Sequence, residues 1–287
     1  MSSHGFFTIA QGKEYQRLAY GLALSLKLSQ PEHLSKLSIG VTKEEKSSID
    51  PKYLEVFDEV IEIPWEDHAK NSTWKLENEW KAIYMTPYDE TIKLDADMLF
   101  PTDISYWWEL LSLSDGVFAT SPKTYRGDII TSDFYRKTFT ESDLPNVYTA
   151  MFYFKKNDIN FELFKLAEFI FNNWERCFYE FLKPDNRPKF VSTDVVFAIA
   201  AKILDYTSLN KTPLADIPTF VHMKSRLQDW PVDQFMVEDW TKMIPYYFNR
   251  DCTLKIGNYA QHLPIHYHVK TFLTDKMLHT MERKLGL

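Results

Sequence analysis

The stretch PYDETIKLDADMLFPTDI, residues 87–104, decides how the chain is read. Pro87 stops the preceding helical pattern, because proline cannot continue a helix. Thr91-Ile92-Lys93-Leu94 is then a short β-type run that delivers Asp95, Ala96 and Asp97 at its carboxyl end. Asp103 follows as the expected N-cap of a helix over the ISYWWELLSL segment. In an open α/β sheet, ligands bind beyond the carboxyl ends of the strands, so the acidic pair falls where a ligand site is expected. Two aspartates at i and i+2 can both approach one divalent cation. Oxygen ligands suit Mg2+ or Mn2+, which keep waters or phosphate oxygens in their remaining positions. Aspartate is also common in turns, so a plain turn is the alternative reading of the string.

Upstream, GFFTIA is a β-type run followed by EYQRLAYGLALSLKLS, whose Leu18, Leu22 and Leu26 recur at helical spacing until Pro31. LSKLSIGVT and VFDEVIEIPW read as the second and third strands, and STWKLENEWKAIYMTPYDE as a helix before the motif strand, ended by Pro87. Downstream, residues 115–145 are polar and irregular. VYTAMFYFKK is strand-like, FELFKLAEFIFNNWERCFYEFL is one long amphipathic helix, and FVSTDVVFAIAAKIL enters a further helix at Thr193-Asp194. Beyond residue 205 short β-like pieces, Pro, Trp and His dominate. Alternating β and α elements predict an α/β fold with a mostly parallel sheet covered by helices. With no repeat and no low-complexity linker, a single domain with a C-terminal extension is expected.

Composition narrows the function. The chain has 287 residues, 45% of them hydrophobic and 25% charged, as a globular protein with a core requires. A net charge of −7 with no Lys/Arg run argues against nucleic acid as a partner. A phosphorylated substrate could still bind if a cation supplied positive charge. Cys177 and Cys252 are too few for a disulfide scaffold or a cysteine zinc site, which fits a reducing compartment. Neither a signal peptide nor a transmembrane segment is legible, so a cytoplasmic protein is expected.

The segment PYDETIKLDADMLFPTDI resembles the tyrosine–strand–DxD–helix segment of glycosyltransferase family 8, the glycogenin-like retaining enzymes of the GT-A fold. FFTIAQGKEYQRLAYGLALSLK is similar to that family's first strand and helix, in the same register. The resemblance implies a GT-A-type, Rossmann-like, mixed and mostly parallel sheet. It further implies transfer of a hexosyl group from a nucleotide-sugar, UDP-linked, to a carbohydrate or other hydroxyl acceptor. Mn2+ or Mg2+ would sit on the diphosphate, bound by Asp95 and Asp97, with the Ala96 backbone beside the donor. The nucleotide-binding half would cover about residues 1–115, and the acceptor half with the C-terminal extension about 116–287. Thr8 and the Ala10–Gln11 backbone would hold the base and Tyr15 would stack on it, a role its ring can serve; a buried helix tyrosine is the alternative.

Other blocks match in part. Thr149-Ala150 stands where the family has a small-residue turn near the donor sugar. STDVVFAIA resembles the D-Q-D-x-x-N block, which would set Asp194 on the sugar hydroxyls; a helix N-cap needs the same residue there. Lys81 is a candidate diphosphate or sugar contact, against an exposed helix lysine. The family's His-x-x-Gly-x-x-Lys-Pro-Trp block is best matched by FVHMKSRLQDW, which makes His222 the expected third metal ligand and Lys224 and Arg226 the cations on the departing phosphate. LPIHYHVKTF is the rival. There His266, His268 and Lys270 alternate along a predicted strand and so share a face, as a metal pair, an acceptor site or a hydrogen-bonded surface. Two other functions remain open. A sugar nucleotidyltransferase needs a Gly-rich basic loop after the first strand, where this chain has only AQGKEY. A non-catalytic sugar- or protein-binding module would be the third.

Overall fold

Strand β4 (Glu90–Leu94), the TIKL run of the sequence, is buried along its whole length and lies inside a six-stranded sheet. A computed structural model describes residues 3–72, 75–130, 136–209, 216–224 and 240–287. Strands β1 (His4–Ile9), β2 (Leu37–Val41) and β3 (Val60–Glu62) complete its parallel part in the order β3-β2-β1-β4. On the far side, β7 (Tyr148–Lys155) runs antiparallel to β4, and β6 (Gly116–Ala119) antiparallel to β7. The expected mixed, mostly parallel α/β sheet is therefore present.

Near-continuous apolar strands require cover on both faces, and alternation divides their side chains between two cores. On one face Phe6, Ile92 and Leu94 pack with α1 (Lys13–Ser29). On the other, Phe7, Phe152 and Phe154 pack with α2 (Asp158–Asn172) and α3 (Thr193–Ile203). Phe118 stacks on Phe152 with ring centroids 4.0 Å apart, anchoring that second core. The C-terminal helix α4 (Asp275–Leu285) closes the first face. It and the Leu273 that precedes it lie against α1 where Gly21 leaves a notch, since a Cβ there would stand 2.6 Å from a Leu273 methyl and 3.3 Å from one of Leu278. Tyr20 donates to Glu282 at 3.1 Å and Lys52 pairs with Glu282 at 2.7 Å, fixing the seam.

Local capping corrects three expectations. Among the described residues the helix before the motif strand shrinks to Glu79–Lys81 and Ala82–Met85, Thr73 and Trp74 lying outside them. Asp103 holds a turn, accepting from Ser105 N at 2.7 Å, while the helix starts only at Trp107. The long amphipathic segment breaks at Asn173 into Asp158–Asn172 and Trp174–Phe181. Asn173 Nδ2 bonds the Phe169 carbonyl there, the side-chain competition with helix that asparagine brings.

Two small sheets form from the irregular C-terminal region. β9 (Tyr246–Phe248), β10 (Leu254–Ile256) and β11 (Tyr259–Ala260) make one meander. β5 (Met98–Leu99), which follows the acidic motif, pairs antiparallel with β12 (Ile265–His266), and β12 pairs parallel with β8 (Val221–His222). This second sheet assembles the site.

Candidate metal centre

Asp95 leaves β4 with its N–H donated to the Ala150 carbonyl of β7 at 3.0 Å. Two residues on, the Asp97 carbonyl accepts from Tyr267 N at 3.1 Å, and Met98 lies opposite His266 in the β5–β12 ladder. The backbone thus carries His266 onto the acidic pair. Its Nε2 stands 3.1 Å from Asp97 Oδ1 and 3.5 Å from Asp95 Oδ2. One ligand atom from each of Asp95, Asp97 and His266 lies within 4.8 Å of the other two. Asp95 retains 33% side-chain exposure, so the cluster opens to solvent on that side.

Charge in the cluster is balanced from below. Lys93 points into the second core and is buried, with Nζ 3.0 Å from Asp95 Oδ1 and paired directly with buried Glu79. Burial disfavours the ammonium, but Asp95 and Glu79 outweigh it and hold Lys93 charged. Burial is the largest influence on Glu79, raising its carboxyl despite the adjacent ammonium. For His266, burial lowers the imidazolium while Asp97 and Asp95 raise it, with a net upward displacement. Asp97 is correspondingly held down by His266 against the burial that would raise it.

His222, the expected third ligand, faces His266 from the neighbouring strand rather than the aspartates, with ring centroids 5.3 Å apart. The strand predicted over LPIHYHVK ends at His266. His268 adopts φ 57°, and a 3-10 turn covers Lys270–Phe272. The left-handed turn folds His268 back, its Nε2 3.2 Å from His222 Nδ1. Burial is the main cause that pushes both His222 and His268 well below the ordinary imidazole value, with His266 adding to it.

The other expected residues are distributed unequally. Thr8 is buried with Oγ1 unpartnered, and Ala10 is buried with its N–H on Gly40. Gln11 is locked by Asp67 and Asn78, its Nε2 3.1 Å from Asp67 Oδ1 and its Oε1 2.8 Å from Asn78 Nδ2. Tyr15 is half-buried, and Lys270 Nζ lies 4.0 Å from its ring centroid. Ala96 is buried between the aspartates. Lys81 is neither exposed nor at the cluster: it is wholly buried, and its Nζ binds the Pro64 and Glu66 carbonyls. Burial lowers its pKa.

Asp194 does not cap its helix; Ser192 holds that position. Its carboxylate instead accepts from Thr149 N at 2.9 Å, Thr149 Oγ1 at 2.7 Å and Arg136 Nη1 at 2.8 Å. Because Ala150 bonds Asp95, Asp194 reaches the acidic motif through the Thr149-Ala150 backbone. Arg136 itself is held 3.9 Å from the ring centroids of both Phe139 and Tyr148. Lys224 is exposed beyond β8, and Arg226 lies outside the described residues.

Lys93 and Glu79 were missed in the sequence. The available signal was strand alternation, which puts Lys93 two residues from Asp95 on the same side, inside a run otherwise too apolar to leave a lysine unpaired. The loop after β1 also has a telling feature: Gly12 N donates to the Glu45 carboxylate. An acidic side chain there occupies one donor that a triphosphate-cradling loop would offer and places negative charge beside it.

No family model matches the chain, and no curated protein matches it in sequence. Among solved structures it is similar to an active-site mutant of LgtC, with 11% identity over 99% of this chain and 96% of that one and a TM-score of 0.49. It is also similar to mouse xyloside xylosyltransferase 1, with 13% identity, 70% and 82% coverage and a TM-score of 0.41. The glycosyltransferase GlyE of Streptococcus pneumoniae TIGR4 gives 12% identity, 72% and 44% coverage and a TM-score of 0.42, so the chain spans under half of that protein's length. All three of those proteins are glycosyltransferases. No helix of the described residues is long and apolar enough to cross a membrane.

Proposed function

We propose that the chain transfers a hexosyl group from a nucleotide-sugar, UDP-linked, to a hydroxyl acceptor, using Mn2+ or Mg2+ held by Asp95, Asp97 and His266. The observation that carries this reading is the convergence of His266 on both aspartates at 3.1 and 3.5 Å. Two carboxylates and one imidazole, partly open to solvent, form a donor set that suits a hard to borderline divalent ion with substrate oxygens completing its sphere. When bound, such an ion offsets the charge of a diphosphate and makes it a better leaving group.

The chain's own residues have assignable roles. Lys93 neutralises Asp95 from the interior and fixes its orientation. Asp194 and Arg136 pin the Thr149-Ala150 backbone beside the site, a positioning role for Asp194 in place of direct contact with substrate. Thr8, Ala10, Gln11 and Tyr15 are proposed to receive the base, with the orphaned Thr8 Oγ1 as one free polar atom facing no protein partner. Lys224 and Lys270 supply the cations for the departing diphosphate, and Lys81 has no part in it. Retention of anomeric configuration follows from the family resemblance alone. The same reading takes the chain as a single GT-A domain with its nucleotide half before about residue 115. The Glu45 carboxylate on Gly12 disfavours a sugar nucleotidyltransferase.

The test is hydrolysis of UDP-, GDP- and ADP-sugars with Mn2+, comparing the native chain with Asp97→Ala. Turnover of one donor that is lost in the variant supports the proposal. No binding or turnover of any donor, or turnover unchanged by the substitution, refutes it. Metal-independent UDP binding, measured by calorimetry, would also refute it.

A further inference from the structure

His222, His266 and His268 come together through two separate devices. The β8–β12 pairing sets His266 level with His222. The left-handed turn at His268, φ 57°, then brings the third ring back over the first two. For a non-glycine residue this conformation costs on the order of 1 kcal/mol, and it is kept here next to a candidate functional site. The His266 and His268 ring centroids are 3.8 Å apart, and those of His222 and His268 4.6 Å. One nitrogen from each ring lies within 4.8 Å of the other two. His222 and His266 are buried, His268 is half-buried, and His266 Nδ1 has no hydrogen-bond partner. A buried imidazole nitrogen without a partner is costly unless something binds it.

We propose that His222, His266 and His268 form a second metal site, selective for Zn2+ and its nitrogen-preferring relatives, whose occupation competes with the aspartate site for His266. Three imidazoles with an open fourth position are a donor set for zinc, whereas carboxylate-rich sets suit Mn2+ and Mg2+. Zn–N bonds of about 2.0–2.1 Å in a tetrahedron require nitrogens roughly 3.3–3.4 Å apart. The His268–His222 pair, at 3.2 Å, already meets that spacing. His266 can offer its unpartnered Nδ1 to the same ion, and a zinc-bound ring keeps its proton on Nε2, which then donates to Asp97 and is closed to Mn2+. Zn2+ at the three histidines therefore opposes Mn2+ at the two aspartates. The competition rests on the reading of Asp95, Asp97 and His266 as a metal site; the zinc site itself does not.

The experiment uses the full chain freed of metal, with Co2+ as a spectroscopic probe for Zn2+ and electron paramagnetic resonance to follow free Mn2+. One equivalent of Co2+ should give the visible bands of a nitrogen-ligated, low-coordinate ion, and Zn2+ should abolish them. His268→Ala, whose half-buried side chain makes it the variant best tolerated by the fold, should weaken Co2+ at least ~10-fold, and His222→Ala should do the same. One equivalent of Zn2+ should release bound Mn2+ from the native chain but not from His268→Ala, which binds Mn2+ as the native chain does. Native Co2+ affinity and bands in a folded His268→Ala chain would overturn the zinc site. Simultaneous binding of Zn2+ and Mn2+ would overturn the competition. If Mn2+ fails to bind the native chain, the transferase reading and the competition fail together, while the Co2+ titration still decides the zinc site.

Discussion

Replacing Lys93 with methionine removes the one ammonium that joins Glu79 to Asp95 inside the second core. Met preserves length and apolar volume, so the perturbation is one of charge. Breaking a buried ion pair from one side costs about 3–5 kcal/mol, because the partner charge stays buried. At roughly 2 °C per kcal/mol for a chain of this length, the thermal midpoint should fall by about 6–10 °C. The loss should also depend on pH with a definite sign. Burial already raises the Glu79 carboxyl, and without Lys93 it rises further. A carboxyl whose folded pKa is raised carries no penalty below its unfolded value of about 4.3. As pH climbs from there through the raised folded value, stability is lost at up to about 1.4 kcal/mol per pH unit.

Denaturant and thermal melts from pH 5 to 8 would measure this. Lys93→Met should be closest to the native chain at the acidic end. Glu79→Gln added to Lys93→Met should recover at least half of the loss, with a coupling energy above about 0.5 kcal/mol. Mn2+ should raise the midpoint of Lys93→Met more than that of the native chain, since it supplies the positive charge that Asp95 has lost. A flat pH profile, or a double variant equal to the sum of its singles, would refute the account of Lys93 as the charge balance of the site.

The histidine assignment predicts an order: His266→Ala should weaken Mn2+ binding more than His222→Ala, as read by calorimetry. Mn2+ affinity should also fall as pH drops through the raised pKa of His266, because the ion must displace its proton. Without metal, the same raised value stabilises the fold below the unfolded imidazole pKa and is lost as pH rises through the folded one; melts of the metal-free chain check this. Gly116→Ala would place a Cβ 1.8 Å from the Tyr206 hydroxyl, and should cost about 1–3 kcal/mol by overpacking in a denaturant titration. Asp194→Asn should lower turnover while leaving Mn2+ affinity near native, since Asp194 acts through the Thr149 backbone; an equal loss of both would contradict that role.

Residues 87–104 by themselves determined the strand and the acidic pair at its end, and the alternation of β and α elements along the chain determined the fold class. Period-2 and period-3.6 patterns are local, so strands β1, β2, β3, β4 and β7 and the helices α1 and α3 were legible without the fold, whereas edge strand β6 falls in the stretch 115–145 that reads as irregular. Two kinds of feature were not. Helix ends depend on competition between side chains and backbone, and so Asp103 became a turn and Asn173 a break. Long-range partners depend on which distant segments the second sheet joins. Only the β5–β12 ladder, 168 residues apart at His266 and Met98, put His266 rather than His222 on the aspartates. The buried fate of Lys81 and Lys93 was likewise tertiary. The same side chain serves a carbonyl pair in one and a carboxylate pair in the other, and only packing distinguishes them. Sequence named the acidic half of the candidate metal centre, and the tertiary structure supplied its histidine and its counter-charge.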